Sequence, residues 1–232
     1  MAGAEAAKKS DLGTRLASAM AMVAVAGLAL WLGGAIWAVF VGAVAIVALW
    51  EWRKLALAVG RSAPARAGWV LGGVVYIGAA AAVLLVFRRI GIPHVVLPVL
   101  VTILTDTGAY FTGRAIGGPK IAPAVSPSKT WSGLVGGMVA AGLGGAWWNG
   151  QFAFHGQWTT GRIGAGFALG AGLAVLAQAG DFLESGMKRK AGVKDSGTLL
   201  PGHGGVLDRI DGLLAVLCAC GIGWMALLGM TE

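Results

Sequence analysis

Charge is what this sequence has least of. Only 12% of its 232 residues are Asp, Glu, Lys or Arg, about half the share found in soluble domains, and its mean hydropathy is +0.77. An ordinary water-soluble globule is thereby excluded, and a polytopic membrane protein is implied. Acids are scarcer than bases, 10 against 18. Cysteine is nearly missing: Cys218 and Cys220 lie two apart in an apolar run, so a helix turns them to different faces and neither a disulfide nor a thiolate metal pair follows. No C-x-x-C or H-E-x-x-H pattern occurs, so zinc is not expected. His94 and His155 fall at outer ends of spans and read as surface or interface residues. Nucleic acid is not expected as a partner; basic loops facing an anionic leaflet account for the net charge of +8. The 40 glycines show no G-x-y period; their density suits helices packed closely in a bilayer.

What is present is a succession of apolar runs. Spanning a ~30 Å hydrocarbon core takes roughly 20 residues, and seven stretches qualify as candidates: 16–32, 35–51, 68–87, 93–112, 132–148, 163–183 and 207–229. The expected fold is all-α, a polytopic integral membrane protein of about seven helices. Gly33 and Gly34 break the first long run into a tight helical hairpin. Lys8, Lys9 and Arg15 precede the first run as in a signal peptide, but the run continues into a second span, so a retained helix is expected. With the N-terminus in the cytoplasm and the C-terminus outside, every basic residue except Arg88, Arg89 and Arg162 falls on the inner side, as the positive-inside rule requires. Trp50, Trp52, Trp69 and Trp131 then belong to the inner aromatic belt, and Trp31, Trp147, Trp148 and Trp158 to the outer one. A division at residue 92 separates three N-terminal spans (1–92) from a four-span catalytic region (93–232).

The acids mark where chemistry gathers. Glu5, Asp11 and Glu232 are terminal, and Glu51 reads as the end of a span. Asp106, Asp181, Glu184, Asp195, Asp208 and Asp211 all belong to segments opening on the cytoplasmic side. Intramembrane carboxylates are expensive, so their clustering argues for a site. Asp106 and Tyr110 are one helical turn apart. Asp181, Glu184, Ser185 and Lys188 share one helix face, as do Asp208 and Asp211 on the next helix. Carboxylates brought together from two helices repel, and oxygen ligands of this kind suit Mg²⁺; Glu184 is also placed to pair with Lys188 at i, i+4. Between the two faces lie Lys188, Arg189, Lys190, Lys194 and the run "PGHGG", His203, Gly204 and Gly205 included. A glycine-rich turn ahead of a helix can cradle phosphate oxygens, and acids for metal beside bases for phosphate are the parts of phosphoryl or nucleotidyl transfer.

At these residues the chain resembles the phosphatidate cytidylyltransferase (CDP-diacylglycerol synthase) family. "SGMKRKAGVKDSGTLLPGHGGVLDRID", Ser185 to Asp211, fits that family's long signature at each specified position, with Gly197, Leu200 and Pro201 in its small, apolar and Pro/Gly slots. "DTGAYFTGR" resembles its D-x-x-A-Y-x-x-G segment. "SPSKTWSGLVGG", read as a loop entering the fifth span, resembles its S-P-K-K-T-W-E-G loop, except that Ser128 and Ser132 replace a lysine and a glutamate. The resemblance covers Asp106 to Asp211, and the chain is short for the family. It implies transfer of a cytidylyl group from CTP to phosphatidic acid, giving CDP-diacylglycerol and pyrophosphate. Asp181, Asp208 and Asp211 would hold Mg²⁺, with a monovalent cation such as K⁺ beside it, and Lys188 would join these three as a catalytic residue. Arg189, Lys194, His203 and Arg209 would hold phosphates together with the Gly204–Gly205 backbone. Ser126 and Lys129 would contact substrate, and Asp106 and Tyr110 would line the pocket. The implied setting is the cytoplasmic (inner) membrane, the site facing the cytoplasm among membrane lipid, in a homodimer.

Three rivals differ in their residues. A CTP-dependent polyprenol or phytol kinase would need a base for an alcohol, and the full signature favours the cytidylyltransferase. "DRIDG" alone suggests a CDP-alcohol phosphotransferase, but no further acids follow Asp211. An ion-coupled transporter would carry its carboxylates near the bilayer midplane in related halves, whereas these sit at one end.

Overall fold

The computed structural model describes residues 2–153, 156, 158–200 and 204–229, with side chains of the first helix from Ala17 on. Pro201, His155 and His203 lie outside the described residues, as do the side chains of Lys8, Lys9 and Arg15. Seven helices follow one another: α1 Ala2–Leu32, α2 Gly34–Val59, α3 Ala63–Ile90, α4 Ile92–Ile116, α5 Trp131–Trp148, α6 Thr160–Ala191 and α7 Leu207–Gly229. Each candidate span lies within one of them. Five of these helices, α2, α3, α4, α6 and α7, are long and apolar enough to cross a membrane. The apolar part of α1, Ala17–Leu32, is shorter, and α5 is an 18-residue helix rich in glycine.

Local chemistry sets the breaks. Gly33 and Gly34 take φ of 66° and 53°, left-handed values that other residues resist, and so turn α1 into α2 within one residue. Arg88, at the end of α3, donates Nε to Leu30 O at 2.7 Å and Nη2 to Trp31 O at 3.2 Å, satisfying carbonyls that the end of α1 leaves open. Ser62 caps α3 ahead of Pro64, and Thr130 caps α5 by accepting the Gly133 N–H at 3.1 Å. Beyond α5 a π-helical turn, Asn149–Ala153, leads toward α6.

The packing centre is α5, held between α4 and α6. Its glycines explain the intimacy. A Cβ on Gly108 of α4 would stand 2.6 Å from Gly136 O, and one on Gly166 of α6 would stand 2.6 Å from Gly145 O. Small residues let backbones meet where lipid offers no hydrophobic push. A second layer, α2 and α3, packs on α6 and α7 around Trp52, Leu55, Ile77, Met187, Leu207, Leu214 and Leu217. Met187 near the end of α6 and Leu207 at the start of α7, which flank the loop joining the two helices, belong to that cluster.

Three expectations need correction. Trp52 and Trp148 do not belong to the aromatic belts: both are buried, and their indole N–H groups donate to Trp69 O and Pro93 O, each at 2.8 Å. Trp52 is admitted because a Cβ on Gly73 would collide with its ring; a buried indole needs such space and an acceptor. His94, read as a surface or interface residue, is half-buried and packs among the rings of Phe87, Trp148 and Trp224, with Nδ1 buried and unpartnered. The chain between α4 and α5, expected as a loop, forms an antiparallel hairpin of β1 (Lys120–Ala122) and β2 (Ser126–Thr130).

Candidate active site

The hairpin and the α6–α7 loop lie at one end of the bundle and carry the site. Three separated segments meet in a pocket of about 320 Å³ lined by Asp106 and Tyr110 of α4, Lys129 of β2, and Gln178 and Asp181 of α6. Lys129 Nζ pairs with Asp181 Oδ2 across this pocket, and Ser185 Oγ donates to Asp181 Oδ1 at 3.3 Å. Tyr110 is exposed, its hydroxyl accepting from Arg114 Nη1 at 3.3 Å.

A second cluster adjoins the first along α6. Lys188 Nζ bridges Glu184 Oε2 at 3.1 Å and Asp208 Oδ1 at 2.6 Å, realising the i, i+4 pair read from the sequence. Asp208 gathers the loop around itself: Oδ2 accepts from Ser196 N at 2.9 Å, Ser196 Oγ at 3.0 Å and Gly205 N at 2.8 Å. Gly205 N–H is therefore committed to a carboxylate. Gly204, at φ 82°, supplies the positive φ that this return needs. Asp211 faces Asp181, Glu184 and Lys188 across the α6–α7 contact, where a Cβ on Gly180 would stand 2.6 Å from Asp211 O.

The remaining bases are distributed. Arg189 Nε donates to Val125 O at 3.2 Å, docking the hairpin tip on α6; Ser126 pairs with Ala122 within the hairpin. Lys194 and Arg209 are exposed to solvent. Of the two departures from the family loop, Ser132 donates to Gly117 O and closes the base of the hairpin, while Ser128 lines the pocket.

The acids suit a hard divalent cation in their chemistry, since every side-chain donor is a carboxylate oxygen. Glu184 Oε1 is buried with no donor from another group and the Glu184 carboxyl lies against that of Asp211, a crowding of carboxyl oxygens that a cation would relieve. In their present arrangement, no three such side chains converge on one point among the described residues; two lysine ammonium groups stand among them instead.

Two residues escaped the sequence reading. Gln178 lies one turn before Asp181 on the acidic face of α6 and is buried against the pocket; extending that face by three residues would have found it. Glu51 of α2, fully buried, reaches the α6–α7 loop. Its Oε1 accepts from Val206 N at 3.2 Å, and its Oε2 from Leu207 N at 2.7 Å and Ser196 Oγ at 3.2 Å. Only its rarity as an acid could have marked it.

A bundle that sets carboxylates, lysines and a glycine-rich loop at one end of lipid-compatible helices has a counterpart among known proteins. Residues 65–222 match the sequence model of the Cytidylyltransferase family, and the chain belongs to that family. Its relatives include proteins named phosphatidate cytidylyltransferase. The one from Brucella suis is 46% identical over 151 residues, 64% of this chain and 54% of the relative. That of Staphylococcus haemolyticus is 38% identical over 151 residues, 65% and 56% of the two chains. That of Haemophilus influenzae is 46% identical over 112 residues, 48% and 38%. The chain spans about half the length of the curated relatives it matches.

Proposed function

We propose that the protein is a phosphatidate cytidylyltransferase of the cytoplasmic membrane, joining CTP and phosphatidic acid into CDP-diacylglycerol and pyrophosphate. The observation that carries this reading is the meeting of Asp106, Lys129 and Asp181, from three separate segments, beside the Glu184–Lys188–Asp208 cluster. Such a site offers both signs of charge at the end of lipid-exposed helices. That is what a polyanionic nucleotide and a lipid phosphate require together.

In this reaction an oxygen of the lipid phosphate forms a bond to the α-phosphorus, and the bond from that phosphorus to the β-phosphate bridge breaks. The nucleophile is already anionic, so no strong base is needed. The obstacle is repulsion between two anions, and catalysis consists of neutralising charge and holding the reactants in line. Lys129 and Lys188 reach for phosphate oxygens from either side, and Arg189, Lys194, His203 and Arg209 supply further positive charge. Asp106 and Tyr110 hold substrate at the wall of the pocket, Ser126 contacts it from the hairpin, and the Gly204–Gly205 turn brings backbone close to it. Asp181, Asp208 and Asp211 would hold Mg²⁺, with a monovalent cation such as K⁺ beside it. The Mg²⁺, when bound, withdraws charge from the triphosphate.

The proposal includes seven spans with the N-terminus in the cytoplasm and the site at the inner interface, supported by the one-sided distribution of lysine and arginine. It also includes a homodimer, for which the family resemblance is the support. Product analysis tests the chemistry. Purified protein in mixed micelles receives phosphatidic acid, Mg²⁺ and CTP labelled in turn at the α- and γ-phosphate. The α-label is expected in a lipid product and the γ-label in pyrophosphate, with both reduced about 100-fold or more in Asp208→Asn. Transfer of the γ-label to an added polyprenol would make the protein a lipid kinase and overturn the proposal.

A further inference from the structure

Glu51 stands on α2, outside the segment 65–222 that defines the family match. A fully buried glutamate inside an apolar helix, here two turns before the end of α2, is costly unless donors surround it, and here they do. The first N–H groups of α7 have no partner within their own helix, and Val206 ahead of it brings no capping oxygen. Glu51 supplies that oxygen from another helix, accepting from both Val206 N and Leu207 N. Its negative charge also suits the positive end of the α7 dipole. A Cβ on Gly205 would stand 2.6 Å from Glu51 Oε2, and one on Gly197 would collide with the same carboxylate. These two glycines of the loop thus leave room for this side chain.

The contact runs on into the site. Ser196 Oγ lies 3.2 Å from Glu51 Oε2 and 3.0 Å from Asp208 Oδ2, and Asp208 Oδ1 holds Lys188. We propose that Glu51 is a positioning residue: it fixes the start of α7, and through Ser196 the orientation of Asp208 and Lys188, so that the charges meet the reacting phosphates in register. The inference rests on the transfer reaction assigned above.

The test uses the full chain in detergent micelles. Glu51→Gln keeps the shape but turns an N–H₂ toward backbone N–H donors. It is expected to lower kcat about ten-fold or more while KM for CTP moves less than about three-fold. Hydrogen exchange should rise in the peptide covering 195–208 and stay near wild type in α2, α3 and the body of α7. Ser196→Ala removes the hydroxyl that joins Glu51 to Asp208 but keeps the Ser196 N–H bond to Asp208 and both backbone bonds to Glu51, and should produce a smaller change of the same pattern. Wild-type kcat in Glu51→Gln, or exchange raised evenly through α2, α3 and α7, would overturn the proposal. Should Glu51→Gln not fold, wild-type kcat and exchange in Ser196→Ala would overturn it equally. A wild-type protein that makes no CDP-lipid sinks the assigned reaction instead, and the exchange comparison, which needs no substrate, still decides whether Glu51 anchors the loop.

Discussion

Lys188 is the residue on which the most charge depends. Its side chain is 12% exposed, between Glu184 at 2% and Asp208 at 5%. Removing one partner from a buried ionic cluster leaves the others uncompensated, at a cost of about 3–5 kcal/mol. Lys188→Met should therefore lose stability of that order in a denaturant titration in micelles; a midpoint equal to wild type would show that the cluster neutralises itself in some other way. The bond from Lys188 to Glu184 is legible in the sequence because helical periodicity fixes it. The same is true of Asp181 beside Ser185. Glu51 is not legible, because its partners are 145 and 156 positions away along the chain and no local period connects them. Trp52 and Trp148 misled for a related reason: tryptophan at a span end usually marks headgroups, and only the facing backbone and a glycine such as Gly73 reveal a core position.

Helix existence followed from apolar length, and the break at Gly33 and Gly34 from glycine's backbone freedom. Which helices embrace was not readable: glycine density announces close packing without naming the partner. The β1–β2 hairpin was missed because strands of three and five residues offer no alternation to detect, and Arg189 holds the turn between them against α6. The α4–α5 seam carries a prediction at this scale. Gly108→Leu places a side chain where a single Cβ already stands 2.6 Å from Gly136 O. Overpacking of this kind costs about 1–3 kcal/mol and levers Asp106 and Tyr110 away from Lys129. A lower melting temperature together with a raised KM for CTP is the expected result; an unchanged KM would detach the seam from the pocket.

Across the whole molecule, the division at residue 92 is crossed by the Trp52–Leu55–Ile77 cluster, which packs on Met187 and Leu214, and by Glu51. The asymmetry of basic residues predicts orientation. A reporter active only outside the cytoplasm should work when fused after residue 232 and fail when fused into the α6–α7 loop; the reverse pattern would invert the topology. Membrane character and the three site segments were legible in composition and motif. Their convergence on one pocket depends on how α5 brings β2 against α4 and α6, which no linear pattern encodes.

The two lysine–carboxylate pairs have a consequence for how a ligand is received. Lys129 on Asp181, and Lys188 shared between Glu184 and Asp208, give the resting site part of its counter-charge from within: these anions already hold a fixed cation. Under the function proposed above, a triphosphate arriving with a cation would not charge an empty cavity. It would trade partners with groups already paired, lysine turning from carboxylate to phosphate as carboxylate turns to cation. Binding would then be an exchange of partners on both sides.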